Sequence, residues 1–269
     1  MAEKKGKTGP PAKKEKGAVT KYDYGAHEGA GFEHQTREDL AIPFISVLQA
    51  LSPQIETMVK AKAGMLFNTV TEELLNEILF VPATTQHVFT EWVPRDSGGG
   101  FVAVYPIDSS IVAEAKARAA ESEADFGKLK MENGNDLIET FYIYGITCSM
   151  EDATGLAVIA FTSTKIKVYK RLNTRLQTFM VKQPDGRKIR PPLYGHLLRI
   201  TTVGEENKKG KFHNFVIGPA TEGNIMKSLL DPADPRFQAA AECKELVESG
   251  VARAAYESTD NGDDDKAPF

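Results

Sequence analysis

The sequence has few of the residues that mark secreted, membrane-bound or metal-binding chains. Its 269 residues include two cysteines, Cys148 and Cys243, and a single tryptophan, Trp92. Two cysteines this far apart provide neither a disulfide framework nor a CxxC pair, which favours a reducing, cytoplasmic setting. No apolar run approaches the length of a membrane-spanning helix, so we expect no membrane association. The Lys-rich N-terminus lacks the apolar stretch that follows in a signal peptide.

The sequence also lacks the motifs that many enzymes require. Its five histidines show no HExxH or HxH spacing, and there is no GxSxG, GxxxxGK[ST] or GxGxxG motif. Asp136 and Glu139 with a nearby lysine could form a nuclease-like site, although two acids near a strand often occur by chance. We therefore expect a protein that is not an enzyme and uses no cofactor and no metal ion. The nuclease alternative predicts cleavage of DNA when Mg²⁺ is added.

Short runs of β-branched and aromatic residues recur through the middle of the chain and predict antiparallel strands. These runs cover residues 65–70, 78–83, 87–93, 101–105, 138–149, 155–161, 193–203 and 211–217. An Ala- and Glu-rich stretch near 110–130 predicts an inserted helix, and apolar spacing after Ser163 or Thr164 predicts another. Further helices are predicted over 221–230 and 235–256. The expected fold class is mainly β with added α, a compact antiparallel barrel or sheet decorated by helices.

Composition sets the expected limits of the folded part. Residues 1–25 are rich in Lys, Gly and Pro, and we interpret them as a disordered basic arm. The core is expected over residues 39–220 and the C-terminal helices over 221–256. Residues 257–269 hold five acidic residues and one lysine, and they are interpreted as a disordered acidic tail.

Positive charge is concentrated in one block of this acidic protein. Residues 160–211 contain thirteen Lys and Arg against three acidic residues, whereas the whole chain has a net charge of −4. Tyr169, Phe179, Tyr194, Phe212 and Phe215 are interleaved with these basic residues. Basic groups neutralise phosphates, and aromatic rings stack on bases that a duplex would hide. The block therefore predicts a surface that binds single-stranded nucleic acid.

The candidate contacts follow from residue type. Stacking on bases is expected from Tyr169, Tyr194, Phe212 and Trp92, for each of which a core position is the alternative. Contacts to phosphates are expected from Lys165, Lys167, Lys170, Arg171, Arg175, Arg187, Lys188, Arg190, Arg199 and Lys211.

The acidic tail ends in a large apolar residue, which a merely solubilising segment does not need. Asp263, Asp264, Asp265, Pro268 and Phe269 combine charge, an aromatic ring and a terminal carboxylate, and we expect them to bind a partner protein. A tethered polyanion also occupies a basic surface of its own chain at low salt. The tail is therefore expected to compete with DNA for that surface.

Two stretches resemble known proteins. The ending Asp263-Asp-Asp-Lys-Ala-Pro-Phe269 resembles the tail of bacterial and phage single-stranded DNA-binding proteins, with departures at Lys266 and Ala267. The predicted helix with Ser163, Thr164 and Lys167, followed by Lys170 and Asn173 and entered from the strand GLAVIAF, is similar to a feature of some phage members. The resemblance implies an OB-fold core, coating of DNA with possible homo-oligomers, and recruitment of polymerase, helicase or recombination proteins. It also implies a phage protein that acts in the host cytoplasm.

The expected function is sequence-independent binding and protection of single-stranded DNA in phage DNA replication or recombination. One alternative is a recombination protein that anneals complementary strands, since it would need the same basic block. Another is a phage interaction protein that does not bind DNA and captures a host enzyme through its tail.

Overall fold

A computed structural model describes residues 23, 25–27, 30, 31, 33, 41–121, 129–208, 210–221 and 223–250. The chain divides into two units, Met1–Thr36 and Arg37–Phe269. The described residues of the first unit include a 3-10 turn, Gly25–His27, in which the Gly25 N–H donates to Asp23 Oδ1 at 2.9 Å. The predicted basic arm, apart from residues 23 and 25, and the predicted acidic tail lie outside the described residues.

The described part of the second unit is built mostly from strands. The strands are β1 (Ile45–Val47), β2 (Leu66–Asn68), β3 (Leu74–Leu75), β4 (Ile78–Trp92), β5 (Phe101–Pro106), β6 (Leu129–Lys130), β7 (Asp136–Cys148), β8 (Ala153–Thr162), β9 (Val181–Lys182), β10 (Lys188–Ile189), β11 (Leu198–Asn207) and β12 (Gly210–Pro219). The helices are α1 (Pro53–Thr57), α2 (Ser110–Glu121), α3 (Ile166–Thr178) and α4 (Pro235–Glu248). All ladders between these strands are antiparallel, so the predicted class, mainly β with added helices, is confirmed.

Five strands and one helix have the connectivity of an OB-fold. The long strand β4 pairs with both β7 and β11, while β8 pairs with β7 and β12 pairs with β11. The helix α3 lies between β8 and β11 in sequence. An OB-fold is a partly open, five-stranded Greek-key barrel, and β4, β7, β8, β11 and β12 correspond to its first to fifth strands.

The sheet does not close into a full barrel, and the segment 44–49 lies between β8 and β12 in place of a ladder between them. Phe44, just before β1, forms a bridge with Val158 of β8. Farther along the same segment, the Gln49 side chain donates to the carbonyl of His213 in β12 and accepts from its N–H. Among the described strands, no ladder joins β12 directly to β8. The Gln49 amide thus takes the place of a neighbouring peptide group at the open edge.

Each face of the sheet has its own apolar cluster. Side chains alternate between faces along a strand, and in β7 Phe141 and Ile143 point into the barrel whereas Tyr142 and Tyr144 point outward. The inner cluster also receives three residues of α3: Tyr169, Leu172 and Leu176. The outer cluster receives three residues of α4: Ala240, Cys243 and Val247. The two helices therefore pack against opposite faces.

Three sequence-based predictions differ from the structure. The start of the strand predicted over 193–203 is a 3-10 turn, Leu193–Gly195, and β11 begins at Leu198. The strands predicted over 78–83 and 87–93 form the single strand β4, in which the pairing with β7 shifts between Pro82 and Thr84. Pro82 has no N–H for the ladder, and a bulge accommodates it. The helix predicted over 221–230 is a 3-10 turn, Met226–Ser228. There the Thr221 N–H donates to Ser228 Oγ. Such a bond between a side chain and the backbone competes with the backbone hydrogen bonds of a helix.

The connection between β4 and β7 is a folded insertion that contains β5, α2 and β6. Val112 and Ala115 of α2 pack against Phe89 and Leu137. The buried carboxylate of Glu91 accepts hydrogen bonds from Tyr105, Asn133 and Asn135, and it thereby holds β5 and the β6–β7 turn to β4. Burial alone would raise the pKa of Glu91, but these three hydrogen bonds hold its pKa below the ordinary value.

None of the helices in the described ranges is both long enough and apolar enough to cross a membrane.

Candidate nucleic-acid interface

The helix α3 separates an apolar face from a basic face. Its apolar residues recur every three or four positions, and one turn of an α-helix takes 3.6 residues. Tyr169, Leu172 and Leu176 are therefore buried together on the barrel. The opposite face exposes four basic residues, Lys167, Lys170, Arg171 and Arg175. The helix thus places these four positive charges on its solvent-exposed side.

The β9–β10 hairpin extends this basic face. Lys182 pairs with Lys188 across the hairpin. Arg190 follows β10, and its Nε donates to the Gln177 carbonyl at the end of α3 at 2.7 Å, which joins the two elements. We name the exposed basic residues of both elements the basic ridge. It consists of Lys167, Lys170, Arg171, Arg175, Lys182, Arg187, Lys188 and Arg190.

Acidic partners neutralise only part of the ridge. Lys167 Nζ lies 2.5 Å from Glu205 of β11, and Arg187 Nε lies 2.6 Å from Asp185. The hydrogen bond from Lys167 holds the pKa of Glu205 below its usual value, so this carboxylate is charged at neutral pH. Lys170, Arg171 and Arg175 make no ion pair with any described residue. Their charges are available to phosphate groups.

The ion pair of Lys167 also relates the ridge to the β11–β12 turn. This turn corresponds to the loop between the fourth and fifth strands of an OB-fold, a loop that binds oligonucleotides in that fold. Lys211 is exposed just after the turn, and Phe212 is partly buried beside it. Lys211 and Phe212, which the sequence predicts as DNA contacts, thus lie on β12 directly after this turn.

A cleft lies on the outer side of the barrel where β1 approaches β4, β7 and β8. Its volume is about 130 Å³. The segment 44–54 forms one wall, and Thr90, Trp92, Thr140, Tyr142, Ala160 and Thr162 form the other. Lys165, between β8 and α3, also lines the cleft and is 7% exposed. The face of the second and third strands is the surface on which OB-folds bind oligonucleotides.

Helix α4 covers the other part of this outer face. Its N-cap, Asp234, accepts from the Arg236 N–H and pairs with the Arg236 guanidinium at 2.6 Å. Arg236 in turn donates to the carbonyls of Ser149 and Met150 in the β7–β8 turn. Burial raises the pKa of the nearby Cys148 thiol to about 11, so this thiol stays protonated at neutral pH. Helix α4 contributes no residue to the lining of the cleft.

Four predicted site residues lie elsewhere or inside the protein. Tyr169 is 6% exposed, and its ring stacks on Phe141 at 4.6 Å between centroids, so it has no open face for a base in this structure. Trp92 is also buried, and its Nε1 donates to Thr90. The Tyr194 ring packs edge-on against Phe237 of α4. Arg199 binds both carboxylate oxygens of Glu77 at 2.8 Å, away from the ridge.

One aromatic stack was missed by sequence reasoning. His87 of β4 lies directly opposite Phe141 of β7, and their ring centroids are 4.0 Å apart at an interplanar angle of 16°. Phe141 stacks on Tyr169 in turn, which gives three rings in a row. Lys170 of the ridge places its Nζ 5.8 Å from the Phe141 ring centroid. The period-2 pattern of β4 and β7 could have shown that these side chains share a face of the sheet. It could not have shown that His87 pairs with Phe141, because the pattern does not give the register between the two strands.

The nuclease-like pair does not assemble in this structure. Asp136 and Glu139 are three positions apart in β7, so their side chains leave opposite faces of the strand. Asp136 pairs with Lys130 at 2.9 Å, and Glu139 pairs with His87 at the same distance. Within the described ranges, no group of three or more His, Cys, Asp or Glu residues is placed to hold a metal ion.

The chain matches the model of a known protein family. The model of a family described as Pam3 phage gp34-like protein matches residues 13–253. No curated protein and no solved structure matches the chain.

Proposed function

Because the chain belongs to the Pam3 phage gp34-like protein family, and is therefore a phage protein, we propose that it binds single-stranded DNA without sequence preference. In this role it coats and protects DNA strands during phage DNA replication or recombination. The protein acts by binding alone, and it requires no catalytic group.

The observation that carries this proposal is the position of the basic ridge on an OB-fold. The ridge contains eight basic residues within 166–190. This stretch of the sequence contains one acidic residue, Asp185. It comes from the helix and the hairpin that lie between the third and fourth strands in sequence, and Lys167 pairs with Glu205 near the loop between the fourth and fifth strands. Binding of phosphates to such a surface releases counterions and favours association. If the same charges were scattered over the surface, they would not favour one path for a bound DNA strand.

Two features favour single strands over a duplex. The cleft has aromatic side chains in its lining, and its volume of about 130 Å³ is too small for a base pair. The ridge and the turn between β11 and β12 are contact regions that OB-folds use for single strands.

Recruitment of other replication or recombination proteins is assigned to the acidic tail. This part of the proposal depends on the sequence of residues 257–269, where clustered carboxylates precede Pro268 and Phe269. An aromatic ring and carboxylates on a tether suit a partner that offers an apolar pocket beside Lys or Arg.

The test is a binding titration with a labelled single strand and a matched duplex at several salt concentrations. We expect tighter binding of the single strand and an affinity that falls as salt rises. Equal affinity for both DNAs would indicate a general polyanion binder. No affinity for either, together with a Phe269-dependent pulldown of a host protein, would instead support the interaction-protein alternative.

A further inference from the structure

A polar hollow lies between the loop 58–65 and the hairpin of β11 and β12, and none of the eight ridge residues lines it. We propose that this hollow binds a phosphate group through Lys60, Lys62, Asn76 and His213. The site goes beyond the proposed function, because it is separate from the basic ridge. It takes a phosphate group that is carried either by a DNA strand or by a free nucleotide.

The charge around the hollow is positive. Lys60 and Lys62 line it, both are exposed, and neither makes an ion pair with a described residue. None of the described residues that line the hollow is acidic. Glu206, farther along β11, lies opposite Lys211 of β12, so a basic side chain accompanies its charge. A hollow lined by charge of one sign attracts an ion of the other sign.

The fold holds His213 at the wall of the hollow. The Gln49 side chain bonds to both backbone groups of His213. The imidazole ring packs against Gly64, where a Cβ atom would lie 2.6 Å from His213 Nδ1. Gly64 has a φ of +89°, and its carbonyl accepts a hydrogen bond from Thr202 of β11. The position of the ring is therefore set by the fold and needs no ligand to define it.

The hydrogen-bonding groups of the hollow are free to bind a ligand. Neither the His213 ring nor the Asn76 side-chain amide forms a hydrogen bond with a described residue, and both residues line the hollow. Together with the two lysines, they place donors from three separate segments of the chain around one space. A phosphate group has several oxygens that accept from such donors, and its bonds to charged donors are about twice as strong as neutral ones. A carboxylate has only two oxygens, and an apolar ligand has none.

The size of the hollow allows more than an isolated ion. Its volume is about 500 Å³, which lies within the range of pockets that hold small molecules. A phosphate group can therefore enter together with the sugar that carries it. The hollow also borders β11, whose Glu205 pairs with Lys167 of the ridge. A DNA strand and a free nucleotide both bring the same phosphate chemistry to this place, and the experiment distinguishes them.

The first measurement uses the His213 ring as a local reporter. Proton magnetic resonance of the full-length protein, in a buffer without phosphate, follows the ring signals during titration with thymidine 5′-monophosphate. The His213 signals are those that are missing from the variant His213→Leu. We expect thymidine 5′-monophosphate to shift these signals and thymidine, which lacks the phosphate, to leave them in place.

A double variant of the hollow is compared with a matched double variant of the ridge. Lys60→Gln with Lys62→Gln should bind thymidine 5′-monophosphate at least about tenfold more weakly, because two charged donors are lost. Lys182→Gln with Lys188→Gln removes the same charge from the ridge and should leave the titration of the His213 signals unchanged. Thermal melting checks that each variant is folded. The lysine variant provides the result if His213→Leu is not folded.

DNA binding by the hollow variant identifies the source of the phosphate. Two labelled single strands of one sequence carry either a 5′-phosphate or a 5′-hydroxyl. If the hollow takes an internal phosphate, the variant binds both strands more weakly than the parent protein does. If it takes a terminal phosphate, only the phosphorylated strand loses affinity. Unchanged affinity for both strands, with weaker binding of thymidine 5′-monophosphate, assigns the hollow to a free nucleotide.

Other outcomes would overturn the proposal. If thymidine 5′-monophosphate leaves the His213 signals in place and the hollow variant binds DNA like the parent protein, the hollow is not a phosphate site. An equal loss of nucleotide binding in the ridge variant would assign the effect to overall charge. If deletion of 257–269 alone shifts the His213 signals, the hollow holds carboxylates of the tail and the assignment to phosphate is wrong. If the nucleotide binds and no DNA strand does, the hollow stands and the proposed DNA-binding function fails.

Discussion

The side-chain amide of Gln49 pairs with both backbone groups of His213, at 2.9 Å for the donor and 2.8 Å for the acceptor. The two residues are 164 positions apart in sequence. A second strand would normally provide these two hydrogen bonds at a sheet edge. Here a single buried glutamine provides them, and the gap between β8 and β12 is bridged in this way.

Replacement of Gln49 should destabilise the barrel at this gap. Gln49→Leu keeps the size of the side chain but leaves the N–H and C=O of His213 unpaired, at a cost of about 1–3 kcal/mol for each buried group. Chemical denaturation of the variant measures the free energy of unfolding. Gln238→Leu, on the exposed side of α4, is the matched control and should change it little. Similar losses in both variants would contradict the role of Gln49.

Gly145 in β7 has no space for a side chain. A Cβ atom there would lie 2.2 Å from the Val81 carbonyl oxygen and 2.6 Å from the Phe80 ring. Since the first of these is backbone, Gly145→Ala must displace β4 at its bulge, and we expect a loss of about 2–4 kcal/mol. Gly155→Ala is a matched control on the next strand, where the nearest atom is 3.9 Å away. Equal melting temperatures for the two variants would show that the bulge can move at no cost.

Local patterns in the sequence were enough to predict much of the fold. Runs of β-branched and aromatic residues predicted β7 and β8, and the spacing of apolar residues after Ser163 or Thr164 predicted the helix α3. These features depend on neighbouring residues only. The bulge at Pro82 shifts the pairing of β4 with β7, and it interrupts the alternation of inward and outward side chains along β4. Periodicity in a short run does not reveal that both halves belong to one strand.

The candidate site was less accessible to such reasoning. An aromatic residue within a basic block can face solvent or the core, and nothing local distinguishes the two for Tyr169. Its burial is decided by Phe141, a residue of another element. The cleft likewise depends on Lys165, Trp92 and residues 44–54, which only the tertiary fold brings together. Contacts to DNA by the ridge residues stay a prediction until binding is measured.

His196 should make stability depend on pH below neutrality. It is buried, neither ring nitrogen has a hydrogen-bond partner within the described residues, and burial lowers its pKa to about 4. Between the unfolded pKa, about 6.5, and the folded value, the unfolded chain binds a proton that the folded chain does not. The free energy of unfolding therefore falls as pH falls through this window, by roughly 3 kcal/mol.

Denaturation curves at pH 7, 5.5 and 4.5 measure this dependence. His196→Leu should flatten it, because the variant has no group at this position to protonate. His27→Gln, which changes an exposed histidine, should leave the dependence as it is in the parent protein. An unchanged slope in His196→Leu would assign the pH dependence to other groups.

The ridge should determine how strongly salt weakens DNA binding. Each phosphate contact adds about 0.7 to the slope of log affinity against log salt for single strands. Arg171 and Arg175 make no ion pair with described residues, so the double substitution Arg171→Gln with Arg175→Gln should lower the slope by about 1.4. Lys227→Gln, an exposed change after β12, should leave the slope unchanged. A loss of affinity at constant slope would mean that the two arginines do not contact phosphates.

The acidic tail should act as a competitor of DNA for the same ridge. Residues 257–269 carry five acidic side chains, and the ridge carries eight basic ones. Since both belong to one chain, the effective concentration of the tail at the ridge is high, and its occupancy weakens as ions screen the attraction. Deletion of 257–269 should therefore tighten binding of single-stranded DNA at low salt and have a smaller effect at high salt.

Substitution of Phe269 by Ala is the control, because it keeps every acidic side chain while it removes the aromatic ring expected to bind a partner. Affinity that is the same with and without the tail at low salt would show that the tail does not occupy the ridge. Tighter binding in both variants would instead assign the competition to the ring rather than to charge.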